Sequence, residues 1–213
     1  MNRKDGLTFF PLQKMDSTPV PHRLGEIRLF SVVRNEELRL PYFWEDYSRL
    51  GVDRFFFVDN ASQDGSPDFL QSRPKTHLFH TPGSYREAGY GIHWIQSLLD
   101  KYGEGHWSVV ADADELLYYP YCEILGLQEL CAILDEEGAG AMPGVLLEMY
   151  SKKPIRLTSY KKGEGFLAVA SYFDKFFYHG KSSKLSWGDR PHHSAALASG
   201  FLRAIIVCKN FLF

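Results

Sequence analysis

The stretch WSVVADADELL, residues 107–117, is an apolar run that ends in three acids, Asp112, Asp114 and Glu115. Side chains alternate along an extended chain, so carboxylates two residues apart face the same way and can share one cation or its bound water. A hard divalent ion such as Mg2+ needs only one or two protein carboxylates, keeps several waters and completes its shell with substrate phosphates. So sparse a ligand set suits it. Asp-x-Asp also arises as an ordinary strand end followed by a turn or a helix cap. The elements around the motif have to decide between these readings.

The chain has the means to build such elements. Its 213 residues are 45% hydrophobic and 15% aromatic, enough for one sizeable core and unlike a disordered polymer. A net charge of -2 gives no overall reason to expect nucleic acid or an anionic membrane as partner, although basic residues cluster within 152–162 and 175–190. Cys122, Cys131 and Cys208 form no CxxC pair, so neither a disulfide framework nor a zinc ribbon is indicated, and a reducing compartment fits. The N-terminus has no apolar core of signal-peptide length, and no window reaches the length of a membrane span. The expectation is a cytoplasmic protein.

Residues 1–25, with Pro11, Pro19 and Pro21, read as an irregular leader. IRLFSVV (27–33) reads as a buried strand, 36–50 as a helix with Gly51 as its stop, and RFFFVD (54–59) as a second strand. Ser66 and Pro67 open a short helix as cap and first helical residue, THLFH (76–80) is a third strand, 86–102 a helix and 107–111 a fourth strand. Residues 126–137 carry Leu127, Leu130, Cys131 and Leu134 on one helical face. Strands alternating with helices predict an α/β fold with a mixed, mostly parallel sheet flanked by helices.

Ligands of such sheets sit beyond the carboxyl ends of the strands, near a switch in strand order. The polar residues fall there: Arg34, Asn35 and Glu36 after the first strand, Asp59, Asn60, Ser62 and Asp64 after the second, Asp112, Asp114 and Glu115 after the fourth. DNASQDGS would also serve as a plain turn, and Asn35 with Glu36 as a helix start. Three strand ends with polar clusters together favour a site.

VVRNE, FVDNASQDGS, an Arg upstream and VVADADELL, taken in this order, resemble the GT-A glycosyltransferases of family 2, in the branch with a KNE-like first motif and a DxDE metal motif. LLEMYSKKPI, SYFDKFFYHG and WGDRPHH resemble the MY, FD and GGxRxR-like segments of that branch, so the likeness covers about residues 26–193. The resemblance implies a Rossmann-like GT-A domain over 26–213, with a nucleotide-binding half at 26–120 and an acceptor half at 121–213 that is possibly truncated at the C-terminus. It implies an inverting transfer of a sugar from a nucleotide-sugar donor, a UDP-sugar foremost, to a saccharide or lipid-linked acceptor, with Mg2+ or Mn2+ as cofactor. No nucleic acid partner and no transmembrane segment are expected. Peripheral contact with the inner face of the membrane is compatible with this reading.

Carried over residue by residue, Asp59 would hydrogen-bond the base, Arg34, Asn35 and Glu36 would line the nucleotide pocket, and Asp64 would support the loop or the ribose. Arg86 would approach the diphosphate, where a guanidinium binds phosphate oxygens in a forked geometry. Asp112 and Asp114 would hold the cation. Candidates for the base that deprotonates the acceptor are Asp174, Glu148 and Glu115, with Glu115 better suited to supporting the metal motif from behind.

Other residues give less. His192 and His193 with Arg190 form a polar cluster that could touch a diphosphate or metal, although structural histidines are commoner. His77, His80, His93 and His106 lack zinc-ligand spacing and read as structural. His192 stands where the GGxRxR-like segment has its second Arg, and the apolar residues 205–213 call for docking on the sheet, truncation or an altered reading frame. Alternatives in other classes are a nucleotidyltransferase, disfavoured because VVRNEELRL lacks a Gly-rich basic loop; a glycoside hydrolase; a dinucleotide oxidoreductase, disfavoured by the lack of GxGxxG; and a non-catalytic nucleotide-sugar-binding remnant.

Overall fold

In the computed structural model of the chain, residues 12–144, 146–173 and 206–209 are described. In chain order these form β1 (Gln13–Lys14), β2 (Ile27–Val33), α1 (Leu40–Leu50), β3 (Arg54–Asp59), α2 (Ser66–Gln71), β4 (Thr76–His80), α3 (Ile92–Tyr102), β5 (Trp107–Val110), α4 (Leu127–Glu136), β6 (Ala141–Pro143), α5 (Phe166–Val169) and β7 (Ile206–Lys209), with a 3-10 turn at Ile155–Leu157. One sheet of seven strands runs β1-β4-β3-β2-β5-β7-β6. Strands β4, β3, β2 and β5 are mutually parallel, while β1 pairs antiparallel with β4 and β7 pairs antiparallel with both β5 and β6. The architecture is Rossmann-like: a mixed, mostly parallel sheet flanked by helices.

The run RFFFVD is buried at every position, as a strand covered on both faces must be. Alternation sorts its side chains. Phe55 and Phe57 join Leu29, Val33, Val109 and residues of α1, α2 and α4 in one core, and Phe56 and Val58 join Phe30, Phe79 and the α3 residues Trp94, Leu98 and Leu99 in the other. The placement of α3 follows from topology. The connections β2-α1-β3 and β3-α2-β4 step one way across the sheet, and the connection to β5 returns past β2, so a right-handed crossover puts α3 on the opposite face.

Two helices start later than their apolar periodicity predicts. α1 begins at Leu40 rather than at 36: after Asn35 in left-handed backbone (φ 56), residues 37–39 form a turn in which the Arg39 and Leu40 N–H groups both bond the Glu36 carbonyl. α3 begins at Ile92 rather than at 86, because Gly89, Tyr90 and Gly91 all have positive φ (60, 59 and 84) and cannot continue a right-handed helix. Ser66 is itself the first residue of α2, preceded by Gly65 at the cap, and its hydroxyl serves the neighbouring loop instead. The fourth predicted strand ends at Val110, one residue early. Within the leader, β1 extends the sheet edge, and near the other end β7 lies between β5 and β6, so part of the apolar terminal run is docked on the sheet. Among the described residues no helix is long and apolar enough to cross a membrane.

The amino ends of the parallel strands hold a sealed polar network. Glu26 receives Arg54 at 2.7 and 2.9 Å and Arg28 at 3.0 Å, and Arg28 also donates to the carbonyls of Tyr102 and Pro21. His77 lies between the Arg54 guanidinium (3.3 Å to Nε2) and Asp16 (3.4 Å from Nδ1). Glu26, Arg28, Arg54 and His77 are all buried.

Candidate functional site

Strand order reverses at β2, which has β3 on one side and β5 on the other. In open α/β sheets the ligand crevice lies beyond the carboxyl ends of the strands that flank such a reversal, here β2 and β5. Arg34, Asn35 and Glu36 follow β2, and Asp112 to Glu115 follow β5. Asp59 closes the adjacent β3.

The first two strand-end loops are laced together. The Asn35 N–H donates to Ser62 Oγ at 2.9 Å, and the Asn35 Oδ1 accepts the Gln63 N–H at 2.7 Å. The Glu36 N–H donates to Ser66 Oγ (2.8 Å) and the Glu37 N–H to Asp64 Oδ2 (3.0 Å), while Glu37 Oε2 accepts the Gly65 N–H at 3.1 Å. Asp64 also accepts the Ser66 N–H at 3.0 Å. Burial alone would raise the Asp64 carboxyl, but hydrogen bonds from Ser66 and the Glu37 N–H outweigh it and hold the group below its usual range. Asp64 thus pins the loop, the first of its two expected roles. A third loop joins through Asn60, whose Nδ2 donates to the carbonyls of Thr81 and Gly83.

Asp59 is placed at the crevice but turned inward. It is 3% exposed, with the Ser62 N–H 3.3 Å from both carboxylate oxygens and His80 Nδ1 at 3.2 Å. A base hydrogen-bonding to Asp59 would have to reach a carboxylate that is already buried against Ser62 and His80. Arg34 and Asn35 are exposed, and Glu36 is half-buried.

Beyond β5, burial alternates residue by residue. Ala111, Ala113, Glu115, Leu117 and Tyr119 face inward, whereas Asp112 is half-buried and Asp114 exposed. Both aspartates therefore lie on the accessible side, although the strand has ended and Ala113 and Asp114 form a turn. Glu115 is 9% exposed, and its Oε2 accepts the Asp112 N–H at 3.1 Å while its carbonyl accepts the Tyr47 hydroxyl at 3.3 Å. It props the motif from behind. Among the described residues no group of three or more His, Cys, Asp or Glu side chains is disposed to hold a metal ion. Asp112 and Asp114 offer the one or two carboxylates that Mg2+ requires, in a position where water or phosphate could complete its shell.

Sequence reasoning missed Arg39. It caps α1, donates to Glu36 Oε2 at 2.7 Å and lies within the field of Asp114; the hydrogen bond to Glu36, then the charges of Glu36 and Asp114, push its guanidinium above the ordinary value. A cation at a helix N-terminus opposes the helix dipole, and that misfit was the signal available in the sequence. Arg39 is tied by its ion pair with Glu36 to the loop after β2. His80, expected to be structural, is the partner of Asp59.

Arg86 is exposed in the turn segment before α3, not within a helix. Glu148 is exposed on the segment after β6. Asp174, Arg190, His192 and His193 lie outside the described residues.

No protein-family model matches the chain, and no curated protein matches its sequence. Among solved structures it is similar to 4-diphosphocytidyl-2C-methyl-D-erythritol synthase, at 14% identity and a TM-score of 0.38, over 63% of this chain and 66% of that one. A likeness at this level says nothing about chemistry.

Proposed function

We propose that the crevice between β2 and β5 binds a nucleotide-sugar through a divalent cation held by Asp112 and Asp114, and that the chain transfers the sugar with inversion to a saccharide or lipid-linked acceptor. The observation that carries this reading is the placement of both aspartates on the accessible side of the β5 exit, beside polar loops braced by their own hydrogen bonds. The motif resemblance supplies the reaction class and the UDP-sugar as first donor to test.

In this reading Asp112 and Asp114 would hold Mg2+ or Mn2+, which would supply positive charge against the departing diphosphate. The chain supplies the rest. Arg34, Asn35 and Glu36 line the nucleotide side, Asp59 shapes its floor, and Asp64 holds the loops in register. Arg39, paired with Glu36, adds positive charge at the start of α1, and Arg86, on the exposed turn before α3, is the group assigned to the diphosphate. The proton of the acceptor hydroxyl is assigned to a carboxylate, Asp174 first and Glu148 second.

The test is a screen of nucleotide-sugars for thermal stabilisation with and without Mn2+, followed by identification of the product released. Metal-dependent stabilisation by one donor, with release of nucleoside diphosphate, supports the proposal. Release of pyrophosphate would identify a nucleotidyltransferase, and binding without turnover a non-catalytic donor-binding protein. No metal-dependent binding of any donor would end the reading.

A further inference from the structure

Residues 151–171 form an excursion closed at its base and held at its side. Tyr150 and Tyr172 exchange backbone hydrogen bonds at 2.8 and 3.1 Å, and their rings stack 6.4 Å apart. On the flank, the Gly163 N–H donates to the Leu38 carbonyl at 2.9 Å, Lys162 pairs with Glu37 at 2.6 Å, and Phe166 packs on Tyr42 of α1. The tip is a tight turn: the Leu157 N–H donates to the Pro154 carbonyl and the Thr158 N–H to the Ile155 carbonyl.

That turn puts apolar side chains where water should disfavour them. Ile155 is 93% exposed and Leu157 65% exposed. Lys152, Lys153 and Arg156 neighbour them in sequence, Lys161 and Lys162 follow on the flank, and no acidic residue occurs between Glu148 and Glu164, in a chain whose net charge is -2. Lys152, Lys153, Arg156 and Lys161 are exposed. A soluble polyanion would satisfy the charges but leave Ile155 and Leu157 in water. An anionic bilayer meets both demands, because acidic headgroups attract the lysines while the two side chains enter the acyl boundary.

The geometry points to this loop as a docking surface for an anionic phospholipid membrane. Its flank rests on Leu38 and on Glu37, which bonds the loop pinned by Asp64, so docking would hold the mouth of the β2–β5 crevice close to the lipid surface. The inference stands on the loop itself and does not need the transferase reading.

Co-sedimentation of the full chain with vesicles tests it. The chain should pellet with phosphatidylcholine vesicles that contain phosphatidylglycerol, should do so far less with phosphatidylcholine alone, and should be released by salt. Lys152→Ala with Lys153→Ala should weaken partitioning roughly 25-fold, at about fivefold per charge. Ile155→Ser with Leu157→Ser should weaken it about tenfold or more. Both pairs are exposed, so their melting curves should match that of the unmodified chain. Absence of binding to the phosphatidylglycerol vesicles, or binding that neither pair weakens, overturns the inference, as does capture by heparin without vesicle binding. Asp112→Asn should bind vesicles like the unmodified chain, so failure of the donor assay and failure of this one are separate outcomes.

Discussion

The two ends of the parallel strands use the same kinds of side chain in opposite ways. At the amino end, Glu26 is enclosed by Arg28 and Arg54, and each group is buried with its charge answered by a neighbour in the chain. At the carboxyl end, Asp112 and Asp114 stay on the accessible side, and the hydrogen bonds nearby go to backbone groups that fix the loops. Buried ions whose partners are all internal serve the fold, since removing either partner leaves an uncompensated charge. Acids on the accessible side of a strand end can be reached by a ligand from solvent. Residue type alone does not separate these two cases; burial does.

The sharpest way to break this comparison is Asp112→Asn or Asp114→Asn. Each should lower metal-dependent turnover by at least about a thousandfold, with the melting temperature little changed. Full activity in both variants would remove the site. The reciprocal change is Glu26→Gln, which leaves Arg28 and Arg54 sharing a neutral amide in a buried place. Chemical denaturation should show a loss of about 3–5 kcal/mol, the range for a broken buried pair, while metal-dependent donor binding by the folded fraction stays as it was. A loss under about 1 kcal/mol would mean that the network is not as sealed as it looks.

Protonation should expose the same asymmetry. Burial alone would raise the Glu26 carboxyl, but the hydrogen bonds and charges of Arg54 and Arg28 bring it down from 4.5 to about 2. A depressed folded value means stability present above the unfolded value and lost as pH falls through the folded one, so its contribution, roughly 3 kcal/mol, should fade between about pH 4.5 and 2. His77 is lowered mainly by burial, with Asp16 opposing in part, so this imidazole is kept neutral. Its contribution is present above the ordinary imidazole value, about 6.5, and is lost as pH drops below it. Denaturation midpoints should therefore begin to fall below about pH 6.5 and fall faster under about pH 4.5, with the lower step reduced in Glu26→Gln, where depressed carboxylates such as Asp16 and Asp64 remain.

Much of this fold was legible because its central strands are apolar runs: β2, β3 and β4 stand where the pattern put them, and α4 lies within the expected 126–137. The late starts of α1 and α3 were not. Local periodicity could not show that Asn35 would turn left-handed and 37–39 tighten into a turn on the Glu36 carbonyl, nor that Tyr90 would join two glycines in left-handed backbone. β1 and β7 were missed for the same reason, since each is short and is defined by the strand it finds. At the site, the positions of the acids followed from strand ends. Which acids were already engaged did not: Asp59 and Asp64 look equal in DNASQDGS, yet Asp59 is buried against His80 and Asp64 accepts the N–H of Glu37.

Asp64 gives the smallest effect and the finest test. Asp64→Ala removes an acceptor from the Glu37 N–H, on a half-buried residue, and from the Ser66 N–H, on a buried one, so the cost to stability should be about 1–3 kcal/mol. Its consequence for function depends on which of the two strand-end behaviours Asp64 shares. If it holds loops, as its hydrogen bonds indicate, donor affinity should fall only modestly in Asp64→Ala and should recover substantially in Asp64→Asn, because one amide oxygen can still accept from Glu37. If it instead contacts the ribose or the cation by charge, the Asn variant should be as impaired as the Ala variant. Comparing donor-dependent melting shifts for the two variants separates these cases, and equal impairment would move Asp64 into the set with Asp112 and Asp114.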